Sequence, residues 1–121
     1  MQVTKEEIRE MAKRGEDIAQ LDVSHLTDLS YIFYNESNLK DFNQDISAWD
    51  VSQVTNMYFM FSYCSSFNQD LSRWDVSNVT NISSMFAQCS SFNQDLSAWD
   101  VSQVKNISGI FYGCSSLNLL S

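Results

Sequence analysis

Three cysteines, one histidine and two columns of aspartates are the residues of this chain whose types and spacing could do chemistry. Cys64, Cys89 and Cys114 recur every 25 residues. A zinc site needs partners clustered at short spacing, and the single histidine, His25, lies far from all three thiols in the chain. An odd thiol count is a poor disulfide framework. A nucleophilic cysteine needs a base or a positive environment to depress its pKa, and no such neighbour accompanies any of them. The thiols therefore read as a column of small buried hydrophobes.

After Asp41 every acid falls in one of two columns, Asp45, Asp70, Asp95 and Asp50, Asp75, Asp100. Like charges ~5 Å apart repel by somewhat under 1 kcal/mol per pair in water, so something must compensate. In one reading each carboxylate accepts hydrogen bonds from nearby backbone N–H groups as an Asx-turn. In the other the columns hold Ca²⁺, which takes oxygen ligands, although no glycine-containing calcium loop accompanies them. No nucleophile–base pair, no carboxylate pair in an evident cleft and no phosphate loop appears, so the sequence reads as non-enzymatic and without a cofactor.

Those columns exist because the chain repeats. The stretch Asp70–Gln94 is matched by Asp45–Gln69 at 17 of 25 positions and by Asp95–Leu119 at 16 of 25, with no gap. Trp49, Trp74 and Trp99 therefore recur in phase with the cysteines. A fixed period of this size is the sequence signature of stacked units that bury their apolar faces against one another. A degenerate unit precedes them, with Leu21-Asp-Val-Ser24 in place of Trp49-Asp-Val-Ser52 and a longer spacing near residues 35–41.

Within each unit Trp74 and Val76 alternate with Asp75 and Ser77, the pattern of a short strand. The tryptophans are expected to stack at about the 4.8 Å strand spacing. Ile82, Met85, Phe86 and Cys89 then recur at i, i+3, i+4, i+7, which predicts a helix of about two turns with Thr80 or Asn81 as its N-cap. Asn56, Asn81 and Asn106, with Asp28 before them, form a polar column at the corner, suited to satisfying backbone groups. At the start, Thr4 and Glu7 have capping-box spacing, Ile8, Met11 and Ala12 share a face and Gly15 is placed at C′, predicting a helix over Lys5–Arg14. The fold expected is an α/β, leucine-rich-repeat-like solenoid of four short strand–helix coils with an N-terminal capping helix. Its parts are a cap over residues 1–16, a degenerate coil over 17–44, and coils over 45–69, 70–94 and 95–121.

The run Trp-Asp-Val-Ser-Asn-Val-Thr-Asn, then Met-Phe and Cys-Ser-Ser-Phe-Asn-Gln-Asp, resembles a bacterial repeat family with units of about 25 residues, found in surface proteins and mycoplasma lipoproteins. That family is grouped with BspA-like leucine-rich-repeat surface proteins. The resemblance covers roughly Asp17–Leu117. It implies a leucine-rich-repeat-like solenoid and a role in protein recognition, surface display or adhesion. It carries no catalytic residues, and the alternative left open by the acids is a Ca²⁺-stabilised structural repeat. The localisation is unknown. Cell surface or secreted is what the resemblance implies, while Met1-Gln-Val-Thr-Lys-Glu-Glu has no apolar segment of a signal peptide.

A net charge of −8 argues against a nucleic-acid partner, which calls for a basic face, and no apolar run approaches a membrane span. The protein partner is unknown. Two surfaces are candidates. Tyr31, Tyr34, Tyr58, Phe59 and Tyr63 fall at positions that vary between units, off the apolar stripe. Either they form an exposed contact patch, or they lie under the first helix or the residue 35–41 insertion. At the other end, Leu119 and Leu120 replace the Gln-Asp of earlier units, and little chain follows to cover Trp99, Val101, Val104, Ile107, Ile110 and Phe111. This predicts self-association, as a two-fold homodimer, through Leu119, Leu120 and Ile110.

Overall fold

The computed structural model describes residues 2–118. It contains a single helix among them, α1, spanning Lys5–Lys13. The Thr4 hydroxyl accepts the Glu7 N–H at 3.1 Å, and the Glu7 carboxylate accepts the Thr4 N–H at 2.9 Å, closing the reciprocal cap. Arg14 is the C-cap and Gly15 follows in the left-handed region, φ +73°. Ile8 and Ala12 are the buried face of α1.

The expected α/β leucine-rich-repeat-like solenoid of strand–helix coils is overturned. The described residues hold no strand and no second helix; after α1 the chain is linked turns. Parallel pairing is confined to isolated bridges, Asp28 to Asn56, Asn56 to Asn81 and Asn81 to Asn106. The physical reason lies in where the backbone donors go. A helix over Ile82–Cys89 would need each N–H to bond four residues back. Instead the N–H groups of Ile82, Ser84, Phe86 and Gln88 donate to the carbonyls of Asn106, Ser108, Ile110 and Tyr112 in the next segment. The N–H groups of Met85, Ala87 and Cys89 close tight turns onto Ile82, Ser84 and Phe86. Ser84 and Gln88 take left-handed φ of 55° and 62°, which no right-handed helix accommodates. Asn81 is not a helix N-cap: its side-chain oxygen accepts the Ser83 N–H at 2.9 Å, an Asx-turn. The would-be strand fails similarly, because the Asp75 carboxylate caps the Ser77 N–H and the Trp74 N–H folds back to Leu71.

The apolar columns supply the core that the turns alone could not. Phe33, Phe61, Phe86 and Phe111 stack in sequence, with ring centroids 5.5, 5.5 and 6.0 Å apart. Phe42, Phe67 and Phe92 form a second column at 5.8 and 6.2 Å. Trp49 and Trp74 are parallel at 6.5 Å, wider than the strand spacing expected, since no strands set it. Each indole N–H finds a carbonyl in the preceding segment: Trp49 that of Ile18, Trp74 that of Ile46, Trp99 that of Leu71, at 3.0, 3.0 and 2.9 Å. Stacked rings bring apolar burial and directed contacts together, which suits segments too short in regular structure to hold themselves.

Candidate functional site

The thiols are structural. Cys64 and Cys89 are buried, and the sulfurs of Cys64, Cys89 and Cys114 approach the carbonyls of Phe33, Phe61 and Phe86 at 2.8, 3.0 and 3.0 Å. Burial pushes the Cys64 thiol up to about 12 and raises those of Cys89 and, half-buried, Cys114. Thiolate is the species that alkylates. In the native protein iodoacetamide should therefore label Cys114 first and leave Cys64 and Cys89 unmodified until denaturant is added. Rapid native labelling of Cys89, followed by peptide mass analysis, would contradict this placement.

His25 is tied into the N-terminal packing. Its Nε2 lies 2.7 Å from the Val3 carbonyl, an acceptor, so Nε2 carries the proton and the buried Nδ1 is left without a hydrogen-bond partner.

The aspartate columns are turn-forming. Asp45, Asp70 and Asp95 accept the N–H of Ser47, Ser72 and Ser97, and Asp50, Asp75 and Asp100 that of Ser52, Ser77 and Ser102. Hydrogen bonds from these serines hold all six carboxyls below the usual range. The Ca²⁺-stabilised repeat is overturned with them: among the described residues no group of three His, Cys, Asp or Glu side chains could hold a metal ion.

The structure gathers the five aromatics of the first two segments. Tyr31 stacks on Phe59 at 5.2 Å and meets Tyr34 and Tyr58 edge-on at 5.5 Å, while Tyr34 meets Tyr63 edge-on at 6.0 Å. Tyr31 and Tyr63 are exposed, and Tyr34, Tyr58 and Phe59 are half-covered. The groove between this cluster and α1, about 220 Å³, is lined by Lys5, Glu6, Arg9, Tyr31, Tyr34 and Glu36. Three of the five, Tyr31, Phe59 and Tyr63, hold left-handed φ of 63°, 56° and 68°. The last segment places Gly109 and Gly113 in those same columns.

The C-terminal face is different in kind. Val101 is 46% exposed where its counterparts Val51 and Val76 are 1% and 2% exposed. Ile107 is 61% exposed where Met57 and Ile82 are 0% and 4% exposed. These side chains, with Leu96, Phe111 and Leu117, line an open cavity of about 640 Å³. Trp99 is buried beneath them, and Ile110, half-buried against the core, also lines the cavity. Tyr112, which the sequence did not single out, is exposed. Leu119 and Leu120 lie outside the described residues.

Among the described residues no helix is long and apolar enough to cross a membrane. No curated protein and no solved structure matches the chain. The resemblance to BspA-like leucine-rich-repeat surface proteins is not upheld, and with it goes the recognition, display and adhesion role: the strand–helix units that define such repeats are absent, and the match found is to another description. The family model described as "Mycoplasma protein of unknown function, DUF285" matches residues 3–120, and the chain belongs to that family.

Proposed function

We propose that the protein works by assembly rather than catalysis, its C-terminal face pairing with the same face of a second copy. The observation that carries this reading is the contrast at Val101 and Ile107, open to water where the equivalent side chains of two earlier segments are sealed. A contiguous apolar surface of this kind rarely stays uncovered. The opposite end is closed by α1, whose Ile8 and Ala12 are buried. Like face therefore meets like face, and such an isologous contact closes at two subunits.

Sedimentation at several concentrations tests this. The wild-type chain should shift from monomer to dimer as concentration rises. Ile107→Asp should hold it monomeric while leaving cooperative unfolding intact, because that side chain contributes little to the fold of a single copy. A wild-type chain that stays monomeric at high concentration defeats the proposal.

A further inference from the structure

Along one row of each segment the hydrogen bonds to the next segment run one way, while at the corner before it the Thr55, Thr80 and Lys105 N–H groups donate back to the carbonyls of Thr27, Thr55 and Thr80. The N–H groups of Leu29, Tyr31, Phe33 and Asn35 donate to the carbonyls of Asn56, Tyr58, Met60 and Ser62. The pattern recurs from Met57, Phe59, Phe61 and Tyr63 onto Asn81, Ser83, Met85 and Ala87, and again from Ile82 to Gln88 onto Asn106 to Tyr112. That row has a polarity: it ends in donors at one end of the stack and in acceptors at the other.

The donors are the N–H groups of Ile107, Gly109, Phe111 and Gly113, which have no partner among the described residues. The corresponding acceptors are the carbonyls of Asp28, Ser30, Ile32 and Tyr34, at the end where α1 sits. Arg9 Nη1 donates to the carbonyls of Tyr31 and Ile32 at 3.0 and 3.1 Å. Lys5 Nζ reaches the Asp28 carboxylate at 3.2 Å and the Ser30 hydroxyl at 3.4 Å. So α1 sits over the acceptor row, holding the Ile32 carbonyl itself and the Asp28 and Ser30 side chains beside it, and the donor end is open.

We propose that α1 is a displaceable stopper on a head-to-tail contact, in which the N–H row Ile107, Gly109, Phe111, Gly113 of one copy pairs with the carbonyl row Asp28, Ser30, Ile32, Tyr34 of a second. This rests on the reading that the C-terminal face takes a second copy. The partner is fixed by donor–acceptor complementarity. While α1 is seated, the C-terminal face has only a like face to meet, a contact of apolar side chains that leaves the N–H row unpaired; with α1 displaced, the head-to-tail contact pairs that row in the register the chain already uses three times within itself. A helix of nine residues does not persist by itself in water, so its place depends on Ile8, Ala12 and the Arg9 and Lys5 contacts. A heterologous contact does not close, and growth continues once the stopper is out.

The test is sedimentation velocity on full-length variants over a range of concentrations. Ile8→Asp, which expels the helix, should form species that grow beyond the dimer without a plateau, while the wild type stops at two. Lys5→Ala with Arg9→Ala, which keeps the apolar contacts of α1, should do the same at higher concentration and guards against a misfolded Ile8→Asp. Adding Ile107→Asp to either should end growth. The chain carrying Ile8→Asp and Ile107→Asp, mixed with wild type, should then form a one-to-one pair. If wild type dimerises but the folded helix variants never exceed the dimer, the stopper is refuted and the proposed function stands. If wild type stays monomeric, the proposed function falls, and growth of the variants then decides the stopper separately. Growth indifferent to Ile107→Asp is aggregation and overturns the inference.

Discussion

Trp74→Ala is expected to destabilise the protein by about 3–5 kcal/mol, the cost of removing a large ring from a close-packed core. Trp74 is buried, parallel to Trp49, and lies 6.4 Å from the ring of Phe61, so its loss opens a void that neighbouring columns cannot fill without abandoning their own stacking. Its indole N–H adds a second contribution. The Ile46 carbonyl accepts both that N–H and the backbone N–H of Trp49. Trp74→Phe should therefore cost less than alanine, since most of the ring volume stays and Ile46 keeps one donor. The missing hydrogen bond should account for about 0.5–1.5 kcal/mol of that smaller loss. Urea unfolding followed by far-ultraviolet circular dichroism measures both. An alanine variant with an unchanged midpoint would place Trp74 outside the core and mean that the stacked columns do not hold the fold together.

How much of this was legible in the sequence differs from element to element. α1 was, because a capping box, one apolar face and a C′ glycine agree on a helix over Lys5–Arg14, of which Arg14 proves to be the C-cap. The burial of Trp49, Trp74, Cys64 and Cys89 was legible from their phase with Val and Phe. The backbone between them was not. An apolar spacing of three, four and seven is shared by a helix and by tight turns chained end to end, and periodicity alone does not tell them apart. What separates the two is the left-handed residues, and most of those carry side chains, Phe59, Tyr63, Ser84 and Gln88, that give no warning. The signal available was Gly109 and Gly113. Two glycines in the last segment mark the columns in which the two segments before it also reverse their hand, at Phe59 and Ser84 and at Tyr63 and Gln88. Phe59 and Tyr63 vary between units and lie off the apolar stripe, which reads as freedom at the surface, yet their backbone is fixed in the left-handed region by the turns. The candidate face was partly legible: Val101 and Ile107 were recognised as uncovered, whereas the unpaired N–H row became visible only once the direction of the hydrogen bonds was known.

The second large effect is acid lability. Eight carboxyls, those of Asp22, Asp28, Asp45, Asp50, Asp70, Asp75, Asp95 and Asp100, are held below the ordinary aspartate value in the folded chain. At seven of them the main cause is the serine two residues on, through its N–H or hydroxyl. At Asp28 partial burial pushes upward, and the Ser30 hydrogen bonds with the Lys5 ammonium outweigh it. A carboxyl whose folded pKa is depressed contributes stability that is complete above its unfolded value, about 3.9, and is lost as pH falls through the folded value. Each group is solvent-screened and individually weak. All eight act in the same direction, and each also holds shut the turn it caps. The melting temperature should therefore be flat from neutral pH to about 5 and fall progressively below about 4. Repulsion within the columns, as between Asp75 and Asp100, works the other way and is relieved by acid, so the observed fall is the net of the two. A triple variant separates them. In Asp50→Asn, Asp75→Asn and Asp100→Asn the turn acceptor remains but does not titrate, as Asn56, Asn81 and Asn106 already show by accepting the N–H of Tyr58, Ser83 and Ser108. That variant should melt at a temperature less dependent on pH below 4 than wild type. Equal melting temperatures for wild type at pH 3 and pH 7 would mean that the carboxylates decorate the turns without holding them.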